Sequence, residues 1–253
     1  MRWTAFLDKI DGRFHELVGS SQQALPELVD LSGFELTPFS NALTAVRVQC
    51  MELIHKVETT WHGQVEAAFE AELGDGAAAR SRMDAERERG EALSFKLEQE
   101  LRRAEVEIAA LAAERIVAQA RKTLGSDFKC SHCSAPLAVK EQFFRSYYVT
   151  CQYCQTVNTF EPGTVARQVE HFSVHALAER AALTENLQFL QAEHHYRCSR
   201  GAASTAAREK LVEVYGVYID KYLSERIRWL PDLEKSRQKD RRARMDGFIN
   251  SIV

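Results

Sequence analysis

Four of the six cysteines stand in two pairs, Cys130 with Cys133 and Cys151 with Cys154, in the spacing C-x2-C-x17-C-x2-C. A CxxC segment bends the backbone into a knuckle that aims two thiolates at one point, and two knuckles complete a tetrahedral four-sulfur set. The chemistry expected of these residues is ligation of one Zn²⁺ per chain. Thiolate at all four positions leaves no coordination place for water, so the ion is read as structural rather than catalytic. An iron–sulfur cluster and metal-free redox thiols are the alternatives for the same four side chains.

Other chemistry-bearing residues form weaker patterns. His171 and His175 stand one helical turn apart with Glu179 one turn further, a spacing able to chelate a metal, but no third ligand is identifiable beyond His194 and His195 downstream. They are read as surface or packed histidines. Cys198 has His194 four residues before it, the pairing that lowers a thiol pKa in a nucleophile, yet no orienting group or oxyanion hole accompanies it. Cys50 falls on an apolar helical stripe and reads as a small core residue. Residues 235–244 hold six basic side chains and one acid, which is either a phosphate grip or a solvated face that pairs with acidic surface. Phe143, Phe144, Arg145, Tyr147 and Tyr148 interleave aromatics with a cation between the knuckles; packing is the first reading and base stacking the second. P-loop, Rossmann, G-x-S-x-G and kinase motifs are missing, so no catalytic residue and no organic cofactor are assigned, and the chain is read as not an enzyme.

The elements that position these residues are mostly helical. Glycine (12) and proline (5) are scarce while alanine, glutamate and arginine abound, which favours helix. Trp3, Phe6, Leu7, Ile10, Phe14, Leu17 and Val18 recur at steps of three and four, predicting an amphipathic helix over 2–19, followed by a short helix around 25–31 that Ser32-Gly33 breaks. Thr37-Pro38 reads as the start of a further helix. Its stripe, Leu43, Val46, Cys50, Leu53, Val57, Trp61 and Val65, keeps nearly heptad spacing as far as Gly74-Asp75-Gly76. A second run from 77 to 124, with Leu97, Leu101, Ala104, Ile108 and Leu111 in line, predicts the other arm of a long antiparallel, coiled-coil-like hairpin. Gly90 leaves its far end least defined. Gly125-Ser126 stops that arm. Three short strands are predicted at 136–140, 146–150 and 156–160. One helix is expected from 165 to about 200, another capped by Ser204, and a break at Pro231. The organisation is therefore 1–37 short helices, 38–124 hairpin, 125–163 four-cysteine zinc ribbon, and 164–253 C-terminal helices with the basic run.

In its four-cysteine stretch the chain resembles the zinc-ribbon family, on Phe128-Lys129-Cys130-Ser131-His132-Cys133-Ser134-Ala135-Pro136-Leu137 and Val149-Thr150-Cys151-Gln152-Tyr153-Cys154-Gln155-Thr156-Val157-Asn158. Many ribbons carry glycine directly after the second cysteine of each knuckle, where Ser134 and Gln155 stand here. The resemblance implies the metal better than the function, since ribbons serve as nucleic-acid binders, polymerase-associated modules and structural staples. A hairpin preceding a four-cysteine finger also resembles the layout of the DksA/TraR group of polymerase-binding regulators. In that group acidic residues at the hairpin tip matter; here the tip offers Asp75 and, further on, Asp84, without the full tip motif.

Charge separates along the chain. Residues 1–76 carry 5 Lys/Arg against 12 Asp/Glu, a net of −7, and residues 199–253 carry 12 against 8, a net of +4. The chain is not a polycation, so nucleic acid is not its evident partner. No apolar run reaches the length of a membrane span, no secretory signal is visible, and paired CxxC motifs suit a reducing compartment, so a cytoplasmic location is expected. The function read from these features is a helical scaffold or adaptor with a structural zinc ribbon, acting through protein partners and through self-association of its helices. The alternative is a nucleic-acid or transcription-complex regulator using the ribbon and the 235–244 run.

Overall fold

A computed structural model describes residues 2–73, 76–124 and 128–252. The chain is mostly helical, with a small two-stranded antiparallel sheet in its middle. Gly74-Asp75 of the expected inter-helix break and the Gly125-Ser126 stop lie outside the described residues. Two compact units emerge, one of Met1–Leu25 with Leu36–Glu105, the other of Pro26–Glu35 with Val106–Val253.

In the first unit, α1 (Arg2–Leu31), α2 (Leu36–Thr60) and α4 (Ala77–Leu124) supply one apolar core. Trp3, Leu7, Ile10, Phe14 and Val18 of α1 meet Cys50, Ile54, Val57 and Trp61, together with Leu97, Leu101 and Ala104 of α4. Each set advances in steps of three and four, so each helix keeps one face on the core. Ion pairs and hydrogen bonds fix the registers. Thr4 accepts from Arg89, Asp11 pairs with Lys96, and His15 lies 3.0 Å from Glu100. All three couples are 85 residues apart, so α1 runs parallel to α4. Arg47 pairs with Glu105 at 3.6 Å while Val57 lies beside Gly90. The sequence numbers there move in opposite directions, and α2 and α4 form the antiparallel hairpin that the sequence predicts.

Three details differ from the sequence reading. The two helices expected before residue 32 are one, and α1 continues through Pro26. Losing one backbone donor there is outweighed by burial beyond it, Val29 being fully enclosed. Helix α2 begins at Leu36, so Thr37 and Pro38 sit inside its first turn rather than at its cap. Past Thr60 the helix widens into a π turn at Trp61–Val65 and resumes as α3 (Glu66–Leu73). Val57, Trp61, Val65 and Phe69 are spaced by four throughout, more than an α-helix advances per turn. A wider turn brings Val65 and Phe69 back to the core.

In the second unit, the alanine-rich end of α4 is enclosed. Ile108, Ala112, Ala113, Ile116 and Ala120 are buried, and Ser173 donates to the Ala113 carbonyl at 3.3 Å, an approach that larger residues at those positions would block. The helix expected over 165–200 is interrupted: α5 (Thr164–Gln168), a π turn at Val169–Ser173, α6 (Val174–Ala181) and α7 (Leu183–Cys198) follow in order. Helix α8 (Ala202–Trp229) starts after Gly201, whose φ of 61° makes the turn, and Ser204 gives it no side-chain cap. Pro231 breaks the chain as expected, into a 3-10 turn (Pro231–Ser236) and α9 (Arg237–Ser251). Helix α8 packs against α6, α7 and α9, burying Tyr218, Ile219, Tyr222 and Leu223.

Gly90 yields a test of the first core. The Trp3 indole donates to the Glu86 carbonyl at 3.0 Å and lies over Gly90, where an added Cβ would stand 2.8 Å from the ring. Gly90→Ala should therefore destabilise by about 1–3 kcal/mol through overpacking, despite alanine's better helix propensity. Gly12→Ala, with nothing within 4 Å of its Cβ, should stabilise by about 0.5–1 kcal/mol. Urea unfolding of the two variants checks the opposite signs.

Candidate metal centre

Residues 128–160 reach the four sulfurs by building one local structure twice. In the first knuckle the Cys130 N–H donates to the Ala135 carbonyl at 2.8 Å and the Ser134 N–H to the Cys130 carbonyl at 2.9 Å. In the second the Cys151 N–H donates to Thr156 at 2.9 Å and the Gln155 N–H to Cys151 at 3.0 Å. Each turn closes with a residue in the left-handed region, Ser134 at φ 59° and Gln155 at φ 60°. These are the two positions where the family pattern has glycine, and a side chain there costs about 1–2 kcal/mol of backbone strain.

Strands β1 (Tyr147–Thr150) and β2 (Val157–Phe160) carry the second knuckle between them, pairing Tyr147 with Phe160 and Thr150 with Val157. The third predicted strand does not form. Residues 137–140 carry no strand, and an isolated bridge between Lys129 and Pro136 closes the first knuckle instead. The hydrogen bonds beside that bridge come from the Cys130 N–H to Ala135 and from the Leu137 N–H to Phe128 at 2.9 Å.

The sulfurs converge. Cys130 Sγ lies 3.5 Å from Cys154 Sγ, Cys133 Sγ lies 3.6 Å from Cys151 Sγ, and all four fall within 4.8 Å of one another. A tetrahedral shell of four sulfurs around one ion, with metal–sulfur bonds of about 2.3 Å, has edges of about 3.8 Å. The cage therefore fits a single ion, and it is too narrow to hold several metal atoms and bridging sulfides between the thiolates. Among the described residues, no second group of three or more His, Cys, Asp or Glu side chains converges in this way.

Electrostatics prepare the same sulfurs for a cation. N–H groups of Cys133 and, more weakly, His132 point at Cys130, and with help from Cys154 and Asn158 they lower its thiol to about 6 against the opposing effect of burial. Thr156, through its hydroxyl and its backbone, draws Cys154 down as well. At Cys133 the Ala135 N–H favours the thiolate, but partial desolvation of the sulfur and the neighbouring thiols outweigh it and push the group up to about 12. Some thiols here ionise readily and the last resists, because charge accumulates in a small volume; a divalent ion at the centre removes that resistance.

Asn158 braces the centre, and the sequence reading did not single it out. Its Oδ1 accepts from the Ser131 N–H at 2.8 Å and the Ser131 hydroxyl at 3.0 Å, while Nδ2 donates to the Thr156 carbonyl at 2.9 Å and lies 3.6 Å from Cys130 Sγ. It thereby ties the first knuckle to β2. The available signal was an amide at an inward position of an alternating strand, between exposed Val157 and Thr159.

Most of the other residues singled out in the sequence prove to be engaged within the chain. Phe143 and Phe144 are buried, Tyr147 stacks on Phe160 at 4.7 Å, and Arg145 donates to Glu170 at 2.9 Å and Asp232 at 2.8 Å. That arginine ties the segment between the knuckles to the π turn before α6 and to the 3-10 turn after α8. Tyr148 stays 74% exposed. His175 Nδ1 lies 2.8 Å from the Tyr222 hydroxyl, and Tyr218 donates to both oxygens of Glu179 at 2.9 and 3.0 Å, so His171, His175 and Glu179 do not assemble a metal site. Cys198 Sγ and His194 Nε2 stand 3.8 Å apart at the exposed end of α7. Cys50 is fully buried, and burial followed by the charge of Glu105 pushes its thiol up to about 11, as a core residue's would be. In the basic run Arg241 holds Asp220 by two bonds of 2.6 and 3.1 Å, Arg237 donates to Ser224 at 2.9 Å, and Arg244 lies over the Tyr222 ring at 5.2 Å.

These arrangements define a mostly α-helical protein with a four-cysteine centre able to hold one metal ion. No family model, curated protein or solved structure matches the chain. The zinc-ribbon resemblance thus stands on residues 128–160 alone. Of the acids expected at the hairpin tip, Asp75 lies outside the described residues and Asp84 pairs with Arg87 at 3.3 Å.

Replacing Ser134 or Gln155 by glycine removes the left-handed strain. Each change should stabilise the metal-bound ribbon by about 0.5–1 kcal/mol, net of the added chain entropy. That corresponds to a roughly two- to fivefold gain in metal affinity by chelator competition. Ser131→Gly, outside the left-handed positions and at the cost of the hydroxyl bond to Asn158, should give no gain.

Proposed function

We propose that the chain is a non-enzymatic scaffold or adaptor of the cytoplasm, whose helical units meet protein partners and whose ribbon is stapled by one structural Zn²⁺. The observation that carries this reading is the convergence of four cysteine sulfurs: with one ion bound, four thiolates would fill a tetrahedral shell and leave no place for a reacting water. Zinc suits the set because it takes tetrahedral thiolate coordination with no redox demand. Among the described residues, no helix is long and apolar enough to cross a membrane.

Two further observations favour a protein partner over nucleic acid. Arg237, Arg241 and Arg244 are committed to α8, so the basic run offers phosphates fewer cations than its sequence suggests. Residues 146–160 contain no Lys, Arg, Asp or Glu, yet Tyr148, Tyr153 and Val157 are exposed there. Exposed tyrosines without charge match the centre of a protein interface better than a phosphate-binding groove.

Elemental analysis of purified protein should find about one zinc per chain. Iron in its place, or free thiols without metal, would overturn the zinc assignment. Cys151→Ser should lose the metal and open 128–160 to proteolysis, because binding energy at such a site is largely folding energy.

For the partner class, labelled DNA and RNA should show no tight, salt-sensitive binding between 50 and 200 mM salt (roughly the range in which phosphate contacts fade). Such binding, abolished when exposed Lys235, Lys239 and Arg242 become alanine, would replace the adaptor reading with the nucleic-acid one.

A further inference from the structure

The four cysteines are unequally exposed. Cys133 is exposed and Cys154 half-buried, whereas Cys130 and Cys151 retain 3% and 0% of their surface. The close contacts, moreover, run across the knuckles: Cys133 to Cys151 at 3.6 Å and Cys130 to Cys154 at 3.5 Å. We infer that the centre is also an oxidation site, at which a peroxide oxidises Cys133 and the resulting sulfenic sulfur is captured by Cys151, joining the two knuckles covalently. The inference rests on the metal-centre reading above and adds to it a reaction, a point of entry and a pairing.

The chemistry balances with peroxide as the only added reagent. With an ion at the centre holding Cys133 as its thiolate, that sulfur attacks one peroxide oxygen; the S–O bond forms, the O–O bond breaks, and hydroxide leaves. The sulfur is oxidised by two electrons and the peroxide reduced by two. The Cys151 thiolate then attacks the sulfenic sulfur, the S–S bond forms, the S–O bond breaks, and a second hydroxide leaves. In sum, two thiolates and one hydrogen peroxide give one disulfide and two hydroxides. Both sulfurs are withdrawn from the ion, leaving it two ligands of four and no stable shell.

Geometry favours this pairing. The sulfurs need to close from 3.6 Å to about 2.05 Å, a shift of the order of one and a half ångströms shared by two exposed turns. The hydrogen bonds that shape each knuckle, Ser134 N–H to Cys130 and Gln155 N–H to Cys151, lie within a knuckle and are not crossed by the new bond. A bond between the knuckles also does the ion's structural work, since it fastens the first knuckle to the end of β1. Oxidation therefore replaces a metal brace by a covalent one, and a dithiol reductant with added metal reverses it.

The full chain with Cys198→Ser, which removes the exposed cysteine outside the centre, serves for the test. Its zinc is first measured by elemental analysis; one equivalent of hydrogen peroxide is then added while a chromogenic chelator reports release. A non-reducing tryptic digest follows, because trypsin places Cys130 and Cys133 in one peptide (130–140) and Cys151 and Cys154 in another (146–167). The expected result is release of about one zinc per chain and a linked pair of these peptides, with fragmentation placing the bond between Cys133 and Cys151. Dithiothreitol and zinc should restore both separate peptides and the bound metal. Zinc retained after peroxide, separate peptides each lighter by two hydrogens, or a bond from Cys130 to Cys154 alone would each overturn the inference. Protein that carries no metal as purified refutes the metal reading by itself, and the peptide pairing still decides the oxidation chemistry.

Discussion

A hairpin of two four-residue strands has too little surface to hold itself together in water. The middle of this chain therefore depends on what draws its two knuckles to one point. Four sulfurs within 4.8 Å do so, at the cost of crowding groups that become negative as they ionise. The backbone lowers that cost from the inside, with N–H groups directed at Cys130 and the Asn158 amide linking Ser131, Thr156 and the Cys130 sulfur. The left-handed turns at Ser134 and Gln155 are the strain this closure imposes. A cation at the centre would offset the charge, so metal binding and the local fold of residues 128–160 would be coupled.

Close approach of helices is the second theme, and small residues permit it. Gly90 opens a place for the Trp3 indole, whose N–H reaches a carbonyl of α4. Gly216 on α8 leaves room for Arg241 and Met245 of α9, where a Cβ would stand 3.3 Å from the guanidinium. Ala113 lets Ser173 touch the backbone of α4. At each point a side chain from another helix fills the space that the small residue gives up, and dispersion and burial gained there exceed the helix propensity that a glycine forfeits.

Arginine works here chiefly as an internal fastener. Arg145 joins the loop between the knuckles to Glu170 and Asp232, and Arg241 holds α9 on Asp220 with a two-pronged contact. The planar guanidinium suits that role, because it presents several donors in a fixed fork. A basic run that could have been read as a grip on phosphate is in large part a seam between two helices. Its remaining exposed cations, together with exposed Tyr148 and Tyr153, shape what the surface can meet.

The sequence by itself determined the helical class, the antiparallel pairing of α2 with α4, the four cysteines and the apolar side of α1. These follow from spacing alone, since a step of three or four keeps one face on a core and a CxxC turn directs two sulfurs to one point. Tertiary structure decided the rest. Whether α1 ran on through Pro26 depended on burial beyond it, which no local signal reports. Whether the helix after Thr60 stayed regular depended on Val65 and Phe69 having a core to return to. The third strand gave way to an isolated bridge between Lys129 and Pro136. His175, Glu179 and Arg241 found their partners on one other helix, α8: Tyr222, Tyr218 and Asp220. Periodicity tells a residue which way to face; only the packed helices tell it what it will face.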